Sequence, residues 1–316
     1  MRARYYNPHI NRFINQDIIT GDISDSNSLN RYTYVEGNPA TMIDPFGLCA
    51  KKYDKSDLDV WGSGNFQSYL SALGFYNGKN DYNLFSKETQ KALSNFNKVY
   101  GLSDDQKLGN ILSKIVAAYT TYNKVISSEK LNNLIKCEKE NFDYDDIQKK
   151  NFAKTWAFFE VGYSYNVTQI SGVLGCINQE SVVSSDNANN DAMRALASKK
   201  GINGYPKAEV HDSIYESLYA EDDLVAYGLI QWCEESRKKG LADYMEQTGL
   251  PVSDINHQLA FLRSEIDNKR NKPWLSENSA AGVAAEFNKY VIVGGAKETK
   301  KIMAGIIYEE FKDFRR

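Results

Sequence analysis

Between Asn166 and Ser181 the apolar residues Ile170, Val173, Leu174 and Ile177 recur at three- and four-residue intervals, the mark of one buried helix stripe. Glu180 falls three residues further along that stripe, where an apolar side chain would be expected. An ionised carboxylate is costly to bury alone. Such a group therefore either has a partner or sits at the lip of a cleft, where desolvation favours its neutral form. Both arrangements suit a general acid. Asn166-Val-Thr-Gln169 supplies the helix start, an Asn cap with Gln three residues on, in the manner of a capping box. The competing reading is a Glu at a helix C-terminus that points to water.

The wider pattern weighs against that competitor. Ser171-Gly-Val-Leu-Gly-Cys-Ile-Asn-Gln-Glu-Ser181 is followed by Tyr227-Gly-Leu-Ile-Gln-Trp232, then by Thr248-Gly-Leu-Pro-Val-Ser-Asp-Ile-Asn-His-Gln-Leu259 and Phe261-Leu-Arg-Ser-Glu-Ile266. These ordered blocks closely resemble the phage tail lysozyme family, over about Trp156 to Phe311. The resemblance extends to Ala284-Ala-Glu-Phe-Asn-Lys-Tyr290 and to a last helix near Thr299 to Phe311.

The resemblance implies a glycoside hydrolase that acts on peptidoglycan, cleaving between N-acetylmuramic acid and N-acetylglucosamine, with Glu180 at the catalytic position. Glu180 would protonate the departing glycosidic oxygen while positive charge develops on the sugar ring. Gly228 would let backbone approach the sugar, Gln231 would hydrogen-bond an acetamido or hydroxyl group, Trp232 would offer an apolar face to a ring, and Tyr227 would join them as a substrate-binding residue. Otherwise this segment is a structural turn with a core Trp. A second carboxylate would come from Asp186, Asp191, Glu209, Asp212, Glu216, Glu221, Asp222 or Asp223. A single glutamate, with the sugar's own acetamido group or an anhydro product completing the chemistry, leaves hydrolase and lytic transglycosylase both open. The sequence departs from the family at Cys176, where Asn is usual, and at Val182-Val-Ser-Ser185, which lacks the usual Gly and Pro.

Phe66-Gln-Ser-Tyr-Leu-Ser-Ala-Leu-Gly-Phe-Tyr-Asn-Gly78, then Asp81, Phe85, Thr89, Ala92, Phe96 and Tyr100-Gly-Leu102, resembles a small three-helix peptidoglycan-binding domain over about residues 62 to 118. Leu70, Leu73, Leu93 and Phe96 have helical spacing for its core, and Gly74, Gly78 and Gly101 mark ends and turns. Tyr76, Asp81 and Tyr82 are its candidates for sugar or stem-peptide contact. Upstream, Met1-Arg-Ala-Arg-Tyr-Tyr-Asn-Pro-His-Ile-Asn-Arg-Phe-Ile-Asn-Gln-Asp17, Ser28-Leu-Asn-Arg-Tyr-Thr-Tyr-Val-Glu-Gly-Asn-Pro39 and Asp44-Pro-Phe-Gly-Leu48 resemble the end of an Rhs repeat-associated core. Aromatic and Val runs between Asn, Gly and Pro read as short strands, the last rungs of a β-shell. The resemblance implies processing after Leu48 and carriage of a C-terminal effector. Alone, residues 1 to 48 should be poorly ordered or loosely packed.

The expected fold is mainly α: residues 1–50 an Rhs remnant rich in short strands, 60–118 a three-helix binding domain, 119–150 a connecting helix and solvated linker, and 151–316 a lysozyme-like helical catalytic domain. A hydrophobic content of 42% in 316 residues suffices for two or three cores. A net charge of −3 with no long Lys/Arg block argues against nucleic acid as a partner. No stretch approaches the length of a membrane span, and no signal peptide is read after Met1. Secretion to the cell wall or periplasm would then depend on a larger parent protein or a dedicated machine. Cys49, Cys137, Cys176 and Cys233 lack metal spacing and are expected as buried free thiols, with a Cys176–Cys233 disulfide conceivable after export. No metal and no cofactor are expected. His9, His211 and His257 accompany no nucleophile motif, which leaves a Cys/His amidase a weak rival. The implied partners are peptidoglycan, an upstream Rhs shell and, for a weapon, an immunity protein. A module that only grips the wall, as part of a tail structure, is the reading of a different class.

Overall fold

Asp145 and Asn166 each open a helix by the same reciprocal exchange. Each side chain accepts from the backbone N–H three residues on, at 2.7 Å from Gln148 and 2.9 Å from Gln169, and the Gln side chain accepts from the cap's own N–H. Two otherwise orphaned N–H groups are thereby satisfied at each helix start, and the expected cap at Asn166 is present.

The computed structural model describes residues 66–78, 86–103, 108–135, 144–183, 226–293 and 297–314, with short pieces between residues 6 and 52. These residues are mostly helical. The helices are α1 (Phe66–Ala72), α2 (Lys87–Tyr100), α3 (Leu108–Ile126), α4 (Glu129–Ile135), α5 (Asp146–Ala157) and α6 (Val167–Ser181). After residue 226 come α7 (Glu235–Asp243), α8 (Met245–Thr248), α9 (Ile255–Asp267), α10 (Ala280–Phe287) and α11 (Lys297–Phe311). Both α5 and α10 run on into a π-helical turn, Phe158–Gly162 and Asn288–Ile292. Among the described residues, strands are confined to two short antiparallel pairs, Tyr6–Asn7 with Arg12–Phe13 and Met42–Ile43 with Lys51–Lys52. Among the described residues no helix is long and apolar enough to cross a membrane.

The chain divides into two compact units, residues 1–97 with 102–119 and residues 98–101 with 120–316. In the first, the core expected from helical spacing is present, with Leu70, Leu73, Leu93 and Phe96 all buried. Tyr76 is also buried, and Gln67 bridges it to Thr89, donating at 2.9 Å to the Thr89 hydroxyl. Its ring therefore serves this core; Asp81 and Tyr82 lie outside the described residues.

In the second unit, Ile170, Val173, Leu174 and Ile177 are all fully buried, as their spacing requires. Close packing of α6 rests on two missing side chains. A Cβ on Gly172 would lie 2.4 Å from the Val283 side chain of α10, and one on Gly175 would lie 2.5 Å from the backbone nitrogen of Ala304 on α11. Glycine at both positions lets α10 and α11 approach the α6 backbone closely. An aromatic cluster of Phe152, Trp156, Phe311 and Phe314 ties α5 to the end of α11, with Trp156 and Phe311 centroids 4.6 Å apart. The solvated linker expected before residue 150 ends by Tyr144, which is buried because its hydroxyl donates at 2.5 Å to Asn178 on α6. A polar tyrosine tip with a partner lets the ring go inside.

Candidate active site

Glu180 occupies the last turn of α6 and is held by a residue from α11. The Lys300 ammonium forms an ion pair with Glu180 Oε1 and also donates to Asn288 Oδ1, 2.5 Å away in the π-helical turn after α10. Lys300 is 0% exposed and the Glu180 side chain 17%. Of the two arrangements open to a carboxylate on an apolar stripe, Glu180 thus has a partner and keeps a solvent-facing edge. Beneath the pair, Cys176 sits one helical turn before Glu180, and its thiol donates to Ala284 O at 3.2 Å. Burial pushes that thiol up to about 12, so it stays protonated and acts as a small donor in the packing of α6 on α10. Cys176 is a buried free thiol and so is not joined to Cys233, which is exposed rather than buried.

Immediately after Ser181 the backbone turns left-handed at two successive valines, φ 54° at Val182 and 57° at Val183. For β-branched residues this is a strained conformation. Gly or Asn is the usual solution there, and this is where the sequence lacks the family's Gly. Two bonds hold the strained turn: Val182 N–H donates to Asn178 O at 2.9 Å, and Asn151 Nδ2 donates to Val183 O at 3.1 Å. Residues 184–225 lie outside the described residues, and with them every candidate for a second carboxylate between Asp186 and Asp223.

The segment Tyr227–Trp232 is a tight turn closed by a bridge between Tyr227 and Trp232, whose backbone groups exchange bonds of 3.1 and 2.9 Å. Gly228 at φ 79° and Gln231 at φ 53° both use left-handed backbone. Ser181 fastens this turn to the residue after Glu180, its hydroxyl donating to Leu229 O at 2.8 Å. Gln258 of α9 fastens the other side, accepting from Leu229 N–H at 2.8 Å and donating to Val252 O at 2.7 Å. A Cβ at Gly228 would meet the Gln258 amide at 2.8 Å, so the glycine is needed for α9 to reach the turn as well as for the turn itself.

Of the expected substrate contacts, Gln231 is partly exposed, with its Nε2 donating to Gly228 O at 2.9 Å. Tyr227 and Gly228 are buried. Trp232, expected to offer a face to a sugar ring, is 0% exposed; its indole N–H donates to Glu265 Oε2 at 2.9 Å and its ring packs on Phe261. The structure thus gives Trp232 a supporting role. Glu265 is in turn gripped by Arg237 at 2.6 and 2.8 Å, and Arg237 reaches on to the carbonyls of Val291 and Ile292 at the end of the second π-helical turn. A carboxylate committed to a bidentate guanidinium and an indole has no oxygen left for chemistry.

Lys300, Asn288, Ser181 and Gln258 carry roles that the sequence reading did not assign. One signal was available. Lys300 precedes Met303, Ala304, Ile307 and Phe311, all buried, by three, four, seven and eleven residues. It is a charge on an apolar stripe, as Glu180 is.

The arrangement can hold a carboxylate in a fixed orientation at the surface of a helical core, beside a turn whose backbone is rigid. No curated protein and no solved structure matches the chain. Residues 150–306, which contain α6 with Glu180, the 227–232 turn, α9, α10 and Lys300 of α11, match the family model described as phage tail lysozyme, and this likeness points at the general level to a lysozyme-type peptidoglycan hydrolase.

Proposed function

We propose that the second unit cleaves the glycosidic bond between N-acetylmuramic acid and N-acetylglucosamine in peptidoglycan, with Glu180 as the general acid. The observation that carries this reading is a carboxylate fixed at the end of a buried helix yet 17% exposed, within a stretch that matches a lysozyme family. In the reaction the Glu180 carboxyl gives its proton to the bridging oxygen as the bond to the anomeric carbon breaks. The bonding pair leaves with that oxygen, and the sugar becomes oxocarbenium-like. Water then captures the anomeric carbon in a hydrolase; an internal hydroxyl of the sugar does so in a lytic transglycosylase. We favour water, because the family match is to lysozymes.

Gln231 is the contact residue of this reading, since its side chain is partly exposed on a turn fastened to α6 through Ser181. Gly228 and Tyr227 set the backbone of that turn, and Trp232 supports it from within. We further propose that residues 62–118 bind the wall, and that residues 1–48, with their likeness to an Rhs core, reflect delivery from a larger exported parent. An immunity protein in the producing cell belongs to that delivery reading.

Mass spectrometry of soluble products after incubation with purified peptidoglycan tests the reaction. Reducing muropeptides are expected. Anhydro products would replace the hydrolase with a transglycosylase, and no soluble product at all would leave a module that grips the wall without cutting it.

A further inference from the structure

Lys300 is fully buried, and burying an ammonium is costly unless its charge and donors are used. Here they are used in a particular way. One donor goes to Asn288 Oδ1 at 2.5 Å, which aims the side chain, and the charge meets Glu180 at Oε1. Among the described residues no hydrogen bond reaches Oε2. Among the described residues, Cys176 on α6 itself is a titratable group beside the pair, and its thiol is protonated and bonded to Ala284 O. Lys300 comes from α11 and Asn288 from the turn after α10, so the ammonium is held between that turn and Glu180 of α6.

We propose that Lys300 is the positioning residue of the acid: it pins Oε1 of Glu180 so that Oε2 is the oxygen that delivers the proton. This rests on the role given to Glu180 above. When Oε2 gives its proton to the glycosidic oxygen and the sugar–oxygen bond breaks, a carboxylate is left next to an ammonium already in place, and that charge needs no reorganisation to stabilise it. Asn288 acts one bond further out, by fixing where the ammonium points.

The test compares Lys300→Met, Asn288→Ala and Glu180→Gln in the full chain, on soluble peptidoglycan fragments, with circular dichroism to confirm folding. Lys300→Met is expected to lower kcat by about a hundredfold with KM unchanged, because a misplaced reacting group costs about that much. Asn288→Ala should lose about tenfold, as the ammonium is kept but loosely aimed. Wild-type kcat in folded Lys300→Met overturns the proposal. So does a loss that appears in KM as much as in kcat, which would make the pair only structural. Cleavage by Glu180→Gln would instead overturn the assignment of the acid, whereas an inert Glu180→Gln beside a fully active Lys300→Met would remove the positioning role alone.

Discussion

Glu180 and Lys300 form an ion pair across α6 and α11 in which the ammonium is entirely buried and the carboxylate is not. The asymmetry matters energetically. Removing the carboxylate takes the opposite charge away from a buried ammonium, which for buried pairs costs up to about 3–5 kcal/mol. Removing the ammonium leaves a carboxylate that water can still reach. An amide at position 180 keeps an acceptor for Lys300, so Glu180→Gln should retain most of the stability that Glu180→Ala loses. Urea unfolding would check this: Glu180→Ala is expected to fall below Glu180→Gln by about 2 kcal/mol, the Asn288 bond offsetting part of the full cost. Equal stabilities would show that Lys300 does not depend on position 180.

The strained exit from α6 makes a second prediction. Val182 adopts φ 54°, a region that costs β-branched residues about 1–2 kcal/mol. Glycine there relieves the strain but loses more chain entropy on folding, about 0.5–1 kcal/mol. Val182→Gly should therefore stabilise the protein by about 0.5–1 kcal/mol in thermal or urea unfolding. A destabilised variant would mean that the Val182 side chain contributes more by packing than its backbone costs.

Two glycines of similar helical setting should respond in opposite directions. On Gly175 a Cβ would press on the Ala304 backbone at 2.5 Å, which cannot swing aside, whereas on Gly305 it would meet nothing within 4 Å. Gly175→Ala should cost about 1–3 kcal/mol by forcing α6 from α11. Gly305→Ala should gain up to about 1 kcal/mol from helix propensity. Since Glu180 and Lys300 lie on the two helices being separated, Gly175→Ala should also lose activity. Effects of the same sign in unfolding experiments would contradict the packing described for α6.

How far could these features be read in the sequence? Ile170, Val173, Leu174 and Ile177 announce a buried helix because spacing alone decides which residues share a face, and the Asn166 cap follows from a local exchange between neighbours. Glu180 stood out for breaking the stripe. Lys300 broke the stripe of α11 in the same way, but pairing two such charges needs the crossing of two helices 120 residues apart in sequence, which periodicity does not contain. Trp232 misled for a related reason. An indole suits either a sugar or an interior with a partner, and the partner, Glu265, lies on α9. The positive φ at Val182 was also out of reach, since valine is among the last residues one would place there.

His257 gives the fold a pH dependence. Its Nε2 lies 2.7 Å from Leu241 O, a carbonyl that can only accept, so Nε2 carries the proton and Nδ1 accepts from Thr248 Oγ1 at 2.9 Å. Burial holds the ring neutral and lowers its pKa from 6.5 to about 4. Between those values the unfolded chain binds a proton that the folded chain does not. Stability from this group is therefore complete above about pH 6.5, falls as pH drops, and is lost below about 4, by up to about 3 kcal/mol. Urea unfolding at pH 7 and pH 5 should show the difference, and His257→Gln, which keeps an N–H for Leu241, should lessen it. An identical pH slope in the two proteins would mean that His257 is not the source.

The central claim is that Glu180 supplies the proton that breaks the glycan strand, and the most direct measurement is the rate of muropeptide release from purified peptidoglycan by wild type and by folded Glu180→Gln. Reducing muropeptides from wild type, with a rate at least about a hundredfold lower in Glu180→Gln, is the predicted result. Release at the wild-type rate by Glu180→Gln would contradict it.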